Sequence, residues 1–295
     1  MSVPLIAITI ANADASAGPL LASWRLLVLG IVQGLTEFLP ISSTAHLKVV
    51  PVLLGWGDPG VAVTAVLQLG SIAAVVAYFS HDLAAVLRAL CHALRQRRWS
   101  SPDARLGLGI AWGTLPILAA GALIEGRWAE AYGASPLRGL TSIAIVSILM
   151  ALLLAAAEQL GSQQRGMESI RVRDGLWLGL AQALALIPGV SRSGSTLTAA
   201  LLWGWRRDAA ARFSFLLGLP AITLAGVVEL RQALAAADGP GALPLLVGVA
   251  ASALASWLAI DWLLGFLRNH STMLFVLYRL AFGVALLTLV ASGRF

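Results

Sequence analysis

The chain alternates long apolar segments with short polar ones, and most of the apolar segments are long enough to cross a membrane. A transmembrane helix needs about 20 mostly apolar residues. Six segments meet this requirement, at residues 61–79, 104–124, 137–160, 212–230, 243–266 and 273–291. The pattern therefore predicts an all-α polytopic membrane protein.

Two further apolar segments, 20–54 and 175–204, are interrupted by polar residues beside Pro40 and Pro188. The residue before a proline avoids the α conformation, so one helix should end at each interruption. Three serines after these prolines are good N-caps for a second helix: Ser42, Ser191 and Ser193. If each helical arm has only two to four turns, each interrupted segment forms a re-entrant helix–loop–helix hairpin.

The two interrupted segments resemble each other, which indicates an internal repeat. Residues 29–33 match residues 178–182 at an offset of 149. Repeat one, about 20–160, and repeat two, about 175–295, each contain one hairpin followed by three full spans. Because three is odd, repeat two should be inverted, and in such proteins the broken helices form a site near the midplane. Chance similarity between apolar helices is the alternative.

The arginines predict how the chain is oriented. Loops 80–103 and 161–174 carry several arginines, whereas 125–136 and 231–242 carry one each. Cytoplasmic loops are enriched in Lys and Arg, so the first two loops should face the cytoplasm and the other two the outside. The first hairpin then opens outward, and residues 83–98 form an amphipathic helix on the inner surface.

The composition excludes several classes of protein. Of the 295 residues, 59% are hydrophobic and 12% are charged, whereas soluble domains are about 25% charged. This excludes a soluble enzyme or a nucleic-acid binder, and the net charge of +6 fits basic loops beside anionic lipid. The single cysteine, Cys91, excludes an internal disulfide. We expect one membrane domain over 20–295, preceded by a variable tail at 1–19.

Polar residues at the two interruptions are candidates for function, because such residues are costly inside a membrane. Gln33 and Glu37 lie four residues apart and so share a helix face. The other candidates are Ser42, Ser43, Thr44 and His46 in the first interruption, and Gln182, Ser191, Arg192, Ser193, Ser195 and Thr196 in the second. Hydroxyls, helix N-termini and the guanidinium of Arg192 together suit a phosphate or carboxylate ligand.

Structural roles are the alternative for each candidate. Glu37 and Arg192 could simply neutralise each other, and His46 could be a hydrogen-bonded core histidine. Helix capping accounts for any one of the serines.

Two motifs resemble a known family. Residues 30–46, GIVQGLTEFLPISSTAH, closely resemble the first signature of the undecaprenyl-diphosphate phosphatases of the bacitracin-resistance type. Residues 188–196, PGVSRSGST, resemble their second signature. The resemblance covers residues 20–295 and includes the number and order of the spans.

The resemblance implies a multi-pass hydrolase of the bacterial inner membrane, and the outward-opening first hairpin predicts that its site opens to the periplasm. It would convert undecaprenyl diphosphate to undecaprenyl phosphate, the carrier lipid for peptidoglycan, and would confer resistance to bacitracin. The implied partner is the lipid diphosphate in the bilayer, without nucleic acid, and a homodimer stays open.

The resemblance also assigns roles to residues. The family's glutamate-rich box maps onto Gln33 and Glu37, its histidine onto His46 and its catalytic arginine onto Arg192. The hydroxyl residues implied at the site are Ser42, Ser43, Thr44, Ser191, Ser193 and Thr196. The family uses Mg²⁺ or Ca²⁺, and with Glu37 as the clear carboxylate the diphosphate would supply much of the coordination.

These parts predict a mechanism. Ser43 attacks the terminal phosphorus or orients a water that does, and His46, three residues on, exchanges a proton with it. Glu37 orients the histidine or holds the cation. A transporter of undecaprenyl phosphate is the leading alternative, because inverted repeats with broken helices are common in transporters. A structural protein that binds anionic lipid is the second.

Overall fold

The computed structural model describes residues 19–235 and 241–293, and this part of the chain forms twelve α-helices. In chain order they are α1 (Pro19–Phe38), α2 (Ser43–Leu53), α3 (Gly60–Tyr78), α4 (Ser80–Gln96), α5 (Pro102–Arg127), α6 (Ala129–Gly133), α7 (Leu140–Leu160), α8 (Val172–Ala183), α9 (Arg192–Leu202), α10 (Arg207–Ala235), α11 (Ala242–Asn269) and α12 (Met273–Ala291). The all-α prediction is confirmed, and each of the six predicted spans coincides with a helix. The tail predicted at 1–19 lies outside the described residues, apart from Pro19.

Six helices are long and apolar enough to cross a membrane: α1, α5, α7, α10, α11 and α12. Helix α3 is apolar as well and continues into α4 through a bend of 70°. Helix α4 covers most of the amphipathic segment predicted at 83–98. The protein is therefore a multi-pass membrane protein.

Both predicted interruptions are breaks between helices. Helix α1 ends at Phe38, just before Leu39 and Pro40, and α2 begins at Ser43. In the second interruption α8 is followed by a 3-10 turn ending at Leu186, and α9 begins at Arg192. The first break spans 39–42 and the second 187–191. A proline at the end of a helix explains both positions, because it restricts the residue before it.

The arms on either side of the breaks differ in length. Helices α2, α8 and α9 have 11, 12 and 11 residues, or about three turns each. Helix α1 has 20 residues, or about five and a half turns. It is longer than the two to four turns expected for a re-entrant arm, and it has the length of a full span.

Glycines allow the first arm of each break to pack closely on a long helix from the other half of the chain. A Cβ at Gly34 of α1 would lie 2.7 Å from the Cβ of Ala255 in α11. A Cβ at Gly179 of α8 would overlap the backbone of Gly113 in α5. Small residues at such crossings let backbones approach closely, as is common between membrane helices. The arms that carry Glu37 and Gln182 are held in place by these crossings.

A buried glutamate joins the ends of three helices. Glu158 of α7 accepts hydrogen bonds from Nε of Arg207 at 2.7 Å and from the hydroxyl of Thr272 at 2.7 Å. Arg207 begins α10, and Thr272 precedes α12. Glu158 therefore positions α12, which reaches both breaks.

Candidate active site

A cavity of about 370 Å³ lies between the two breaks. Residues that the sequence predicts for the site and that line it are Gln33, Glu37, Ser42, Ser43, Thr44, Ser191 and Arg192. Lys48, Asp58 and Arg138 line it too. The structure thus brings residues more than 140 positions apart in the chain to one cavity. The cavity is lined by both acidic and basic side chains.

Glu37 is at the centre of a hydrogen-bonded cluster inside this cavity. Its Oε2 atom accepts from the hydroxyl of Ser43 at 2.8 Å and from Nε2 of Gln33 at 3.1 Å. Its Oε1 atom lies 3.3 Å from Nη2 of Arg192. A serine hydroxyl on a carboxylate that is itself fixed by other groups has the arrangement of a nucleophile and its base.

Arg192 brings a guanidinium with spare donors to the cavity. Besides Glu37, it donates from Nη1 to the carbonyl oxygen of Ser214 at a long 3.4 Å. Its buried Nε has no hydrogen-bond partner among the described residues. A Cβ at Gly218 would overlap the guanidinium, so the arginine lies directly on the α10 backbone. A buried cation with weak and missing hydrogen bonds is suited to bind phosphate oxygens.

The two breaks share an unusual backbone at equivalent positions. Ser42 has φ of 77° and Ser191 has φ of 72°, values that non-glycine residues rarely adopt. Each residue directly precedes a half-helix, and the N-terminus of a helix favours a bound anion. Strained backbone of this kind costs about 1–3 kcal/mol per residue and clusters at functional sites.

Only one of the predicted serine caps forms with its side chain. Ser191 accepts from the backbone N–H of Gly194 at 3.1 Å, which confirms it as the N-cap of α9. Ser42 occupies the N-cap position of α2, but its side chain makes no capping hydrogen bond. Ser42 is one of the residues that line the cavity.

Ser193 and Thr196 lie beside the cavity but do not line it. Ser193 donates to the carbonyl oxygen of Leu39 at 3.0 Å, which links the two breaks. Thr196 donates to the carbonyl oxygen of Arg192 at 2.9 Å and also contacts the hydroxyl of Ser214. Their hydroxyls thus bond to protein atoms, and their role in substrate binding stays a prediction.

His46 is close to the site but is not hydrogen-bonded to Ser43. Its Nδ1 lies 2.8 Å from the carbonyl oxygen of Ser42, and its Nε2 lies 2.6 Å from the hydroxyl of Tyr278. Its ring also stacks on Phe282. Because both ring nitrogens are occupied, the proton exchange expected between Ser43 and His46 is not prepared in this structure, and Glu37 takes that position.

Helix α12 supplies two residues that the sequence pattern did not single out. Tyr278 contacts His46, and Arg279 donates to carbonyl oxygens of both breaks. Arg279 carried a usable signal, because a lone arginine within an apolar span is costly and is a functional candidate by default. Tyr278 carried none, since tyrosine is common in membrane helices.

The bundle of apolar helices around a cluster of serine, glutamate and arginine defines an integral membrane protein with a polar cavity. Comparison with known proteins is specific about the family. The model of the family described as bacitracin resistance protein BacA matches residues 26–285. The chain belongs to this family.

Curated relatives cover nearly the whole chain. The undecaprenyl-diphosphatase of Parasynechococcus marenigrum (strain WH8102) is 65% identical over 277 residues, 94% of this chain and 96% of the relative. The undecaprenyl-diphosphatase of Prochlorococcus marinus (strain MIT 9313) is 62% identical over 291 residues, 99% of this chain and 97% of the relative. That of Synechococcus elongatus is 62% identical over 271 residues, 92% and 94% of the two chains.

Proposed function

We propose that the protein hydrolyses undecaprenyl diphosphate to undecaprenyl phosphate and inorganic phosphate. The observation that carries this function is the hydrogen bond from Ser43 to Glu37 in a cavity faced by Arg192. The names of relatives that are 62–65% identical over more than nine-tenths of the chain support the same reaction. A transporter is not favoured, since a cavity that only carries lipid does not need a nucleophile beside a base.

The geometry supports attack by Ser43. Its oxygen forms a bond to the terminal phosphorus while its proton passes to Oε2 of Glu37. The bond from phosphorus to the bridging oxygen breaks, and undecaprenyl phosphate leaves with the electron pair and takes up the proton from Glu37. Water then attacks the phosphoserine and gives its proton to Glu37, phosphate is released, and this proton returns to the Ser43 oxygen. Direct attack by water is the alternative, with Glu37 as base and Ser43 as orienting group.

Arg192 and the N-termini of α2 and α9 stabilise the charge on the phosphoryl oxygens. In phosphoryl transfer this electrostatic task is most of the catalysis. This task suits the free donors of Arg192 and the backbone N–H groups that follow Ser42 and Ser191. His46 acts on the site through the Ser42 carbonyl, which its ring holds in position.

The donor set fits a hard divalent cation if the substrate supplies most of its ligands. Among the described residues there is no group of three or more Asp, Glu, His or Cys side chains that could hold a metal. Glu37, the amide oxygen of Gln33 and the hydroxyl of Ser43 are oxygen donors of the kind that Mg²⁺ and Ca²⁺ prefer. A bound cation would neutralise charge on the diphosphate, and Glu37 would be its protein ligand.

We further infer an inverted repeat with the cavity open to the periplasm of a bacterial inner membrane. Positions 149 apart match in unusual backbone geometry, Ser42 with Ser191 and Gly55 with Gly204, all at positive φ. The packing has the same symmetry. Helix α1 of the first repeat packs on α11 of the second, and α8, the counterpart of α1 in the second repeat, packs on α5 of the first. The length of α1 favours a span rather than a short arm in the first repeat.

In the cell this reaction would return carrier lipid to peptidoglycan synthesis and would lower the amount of diphosphate available to bacitracin. The experiment that tests the function is phosphate release from undecaprenyl diphosphate by the purified protein in detergent. We expect turnover by the natural protein and none by Ser43→Ala at equal folded concentration. Absence of phosphate release, with movement of undecaprenyl phosphate across vesicles, would instead support the transporter.

A further inference from the structure

A single arginine of the last helix joins the two breaks. Arg279 is 1% exposed, and its guanidinium donates four hydrogen bonds to backbone carbonyls. Nη1 donates to Pro40 and to Val190 at 3.1 Å each, and Nη2 donates to Gly189 at 2.6 Å. Nε donates to Ser147 of α7 at 3.2 Å. One planar group therefore connects the first break, the second break and α7.

The carbonyl partners explain why a cation is tolerated there. A break leaves backbone carbonyls without helical partners, and inside a membrane no water is available to satisfy them. Arg279 supplies donors to such carbonyls on both sides. Within residues 19–235 and 241–293 its hydrogen bonds go only to carbonyl oxygens, so it does not neutralise a carboxylate.

The positions of these carbonyls connect Arg279 to the reacting groups. Pro40 lies three residues from both Glu37 and Ser43 in the chain, and Val190 lies two residues before Arg192. The separation between the Ser43–Glu37 pair and Arg192 thus depends on how firmly the two breaks are joined. Gly194 leaves room for the guanidinium, because a Cβ there would lie 2.9 Å from Nη1 of Arg279.

We propose that Arg279 is a positioning residue that sets the distance between the Ser43–Glu37 pair and Arg192. This inference rests on the proposed hydrolysis. A lysine keeps the charge, but its single ammonium cannot reach carbonyls in three directions as a planar fork does. Errors of about 1 Å in the alignment of reacting groups cost on the order of a hundredfold in rate.

The test compares Arg279→Lys with Arg212→Lys. Arg212 links α10 to α4 through Asp82, a contact that involves neither break. The steady-state readout is phosphate release from a short-chain prenyl diphosphate. We expect kcat of Arg279→Lys to fall by at least about 30-fold, with KM and the affinity for a methylene-bridged analogue changed by less than about threefold. Arg212→Lys should keep the natural kcat.

A second measurement does not depend on activity. Spin labels on the exposed residues Leu54 and Leu202, at the ends of α2 and α9, report the distance between the two half-helices. Arg279→Lys should broaden or shift this distance, and Arg212→Lys should not. Gly194→Ala, which crowds the guanidinium without removing it, should lower kcat in the same direction.

The outcomes separate the two proposals. If the natural protein releases no phosphate, the proposed function fails, while the spin-label distance still reports whether Arg279 holds the two breaks together. Arg279 is not a positioning residue if Arg279→Lys retains the natural kcat. The same conclusion follows if kcat, melting temperature and affinity all fall together while the distance between the spin labels is unchanged.

Discussion

The hydroxyl of Ser43 donates to the carboxylate of Glu37 at 2.8 Å, although the two residues lie on opposite sides of a helix break. The break makes this contact possible, because a continuous helix would place residues six apart on different faces. The same carboxylate faces Arg192 through its other oxygen at 3.3 Å. This cluster can therefore take part in proton transfer as well as stabilise the fold.

Replacement of Glu37 by glutamine should abolish most turnover. An amide keeps the shape and can accept a hydrogen bond from Ser43, but it cannot take up the proton. We expect kcat to fall by about 10²–10⁴-fold, measured as phosphate release at saturating substrate. Glu125→Gln, at an exposed glutamate of α5, is the matched control and should be active.

The double variant Ser43→Ala/Glu37→Gln distinguishes a functional pair from two independent residues. If Ser43 and Glu37 act as a unit, the double variant should be little slower than the slower single variant. Losses that multiply would assign separate roles to the two residues. Acid-quenched reactions with substrate that carries ³²P in its terminal phosphate add a direct readout, since label trapped on the natural protein but not on Ser43→Ala would identify Ser43 as the nucleophile.

Arg192→Lys should remain folded and lose catalytic efficiency. Lysine preserves the positive charge but cannot bind two phosphate oxygens with a planar fork. We expect kcat/KM to decrease at least about tenfold, equivalent to roughly 1.4 kcal/mol. Arg206→Lys, at a half-exposed arginine, serves as control. Near-natural efficiency of Arg192→Lys would reduce the residue to a general positive charge.

The crossing of α1 and α11 should control activity from a distance. A methyl group at Gly34 would lie 2.7 Å from the backbone N of Ser256, so Gly34→Ala should push α1 away and displace Glu37 one turn further on. We expect lower kcat and a lower melting temperature. Gly121→Ala has open space around its Cβ and should leave both unchanged. Equal behaviour of the two variants would contradict the proposed packing effect.

The orientation inferred from the arginines is accessible to cysteine labelling. In a Cys91→Ala background, Ser100→Cys should react with an impermeant maleimide only after the cells are opened. Ala131→Cys, in the segment expected outside, should react in intact cells. The reverse pattern would place the cavity on the cytoplasmic side.

The helices and their breaks are predictable from sequence because local rules determine them. Proline restricts the residue before it, and Pro40 and Pro188 each lie where a helix has ended. Many of the residues that line the cavity can be predicted from the same breaks, because the polar residues of the sequence are concentrated where the second helix of each break begins. The length of α1 is harder to predict from sequence. Gln33 and Glu37 are polar, but they pair with each other inside the bundle, so the helix continues past them.

The contacts of the site were harder to predict. His46 and Ser43 share a helix face, but the His46 ring bonds to the carbonyl of Ser42 and to Tyr278, so the predicted pair does not form. Tyr278 and Arg279 lie more than 230 residues from the first break along the chain. Only the packing of α12 against α7 brings them to it, and no local pattern encodes that packing.

The place of Arg279 in the chain has a consequence for biosynthesis. Helix α12 is synthesised after the other eleven described helices, and Arg279 lies in its first half. Until that helix inserts, the carbonyls of Pro40, Gly189 and Val190 lack the donor they share in the finished protein. A nascent chain that has both signature motifs but not yet α12 therefore lacks this donor, and we expect activity to appear only after Arg279 has been inserted.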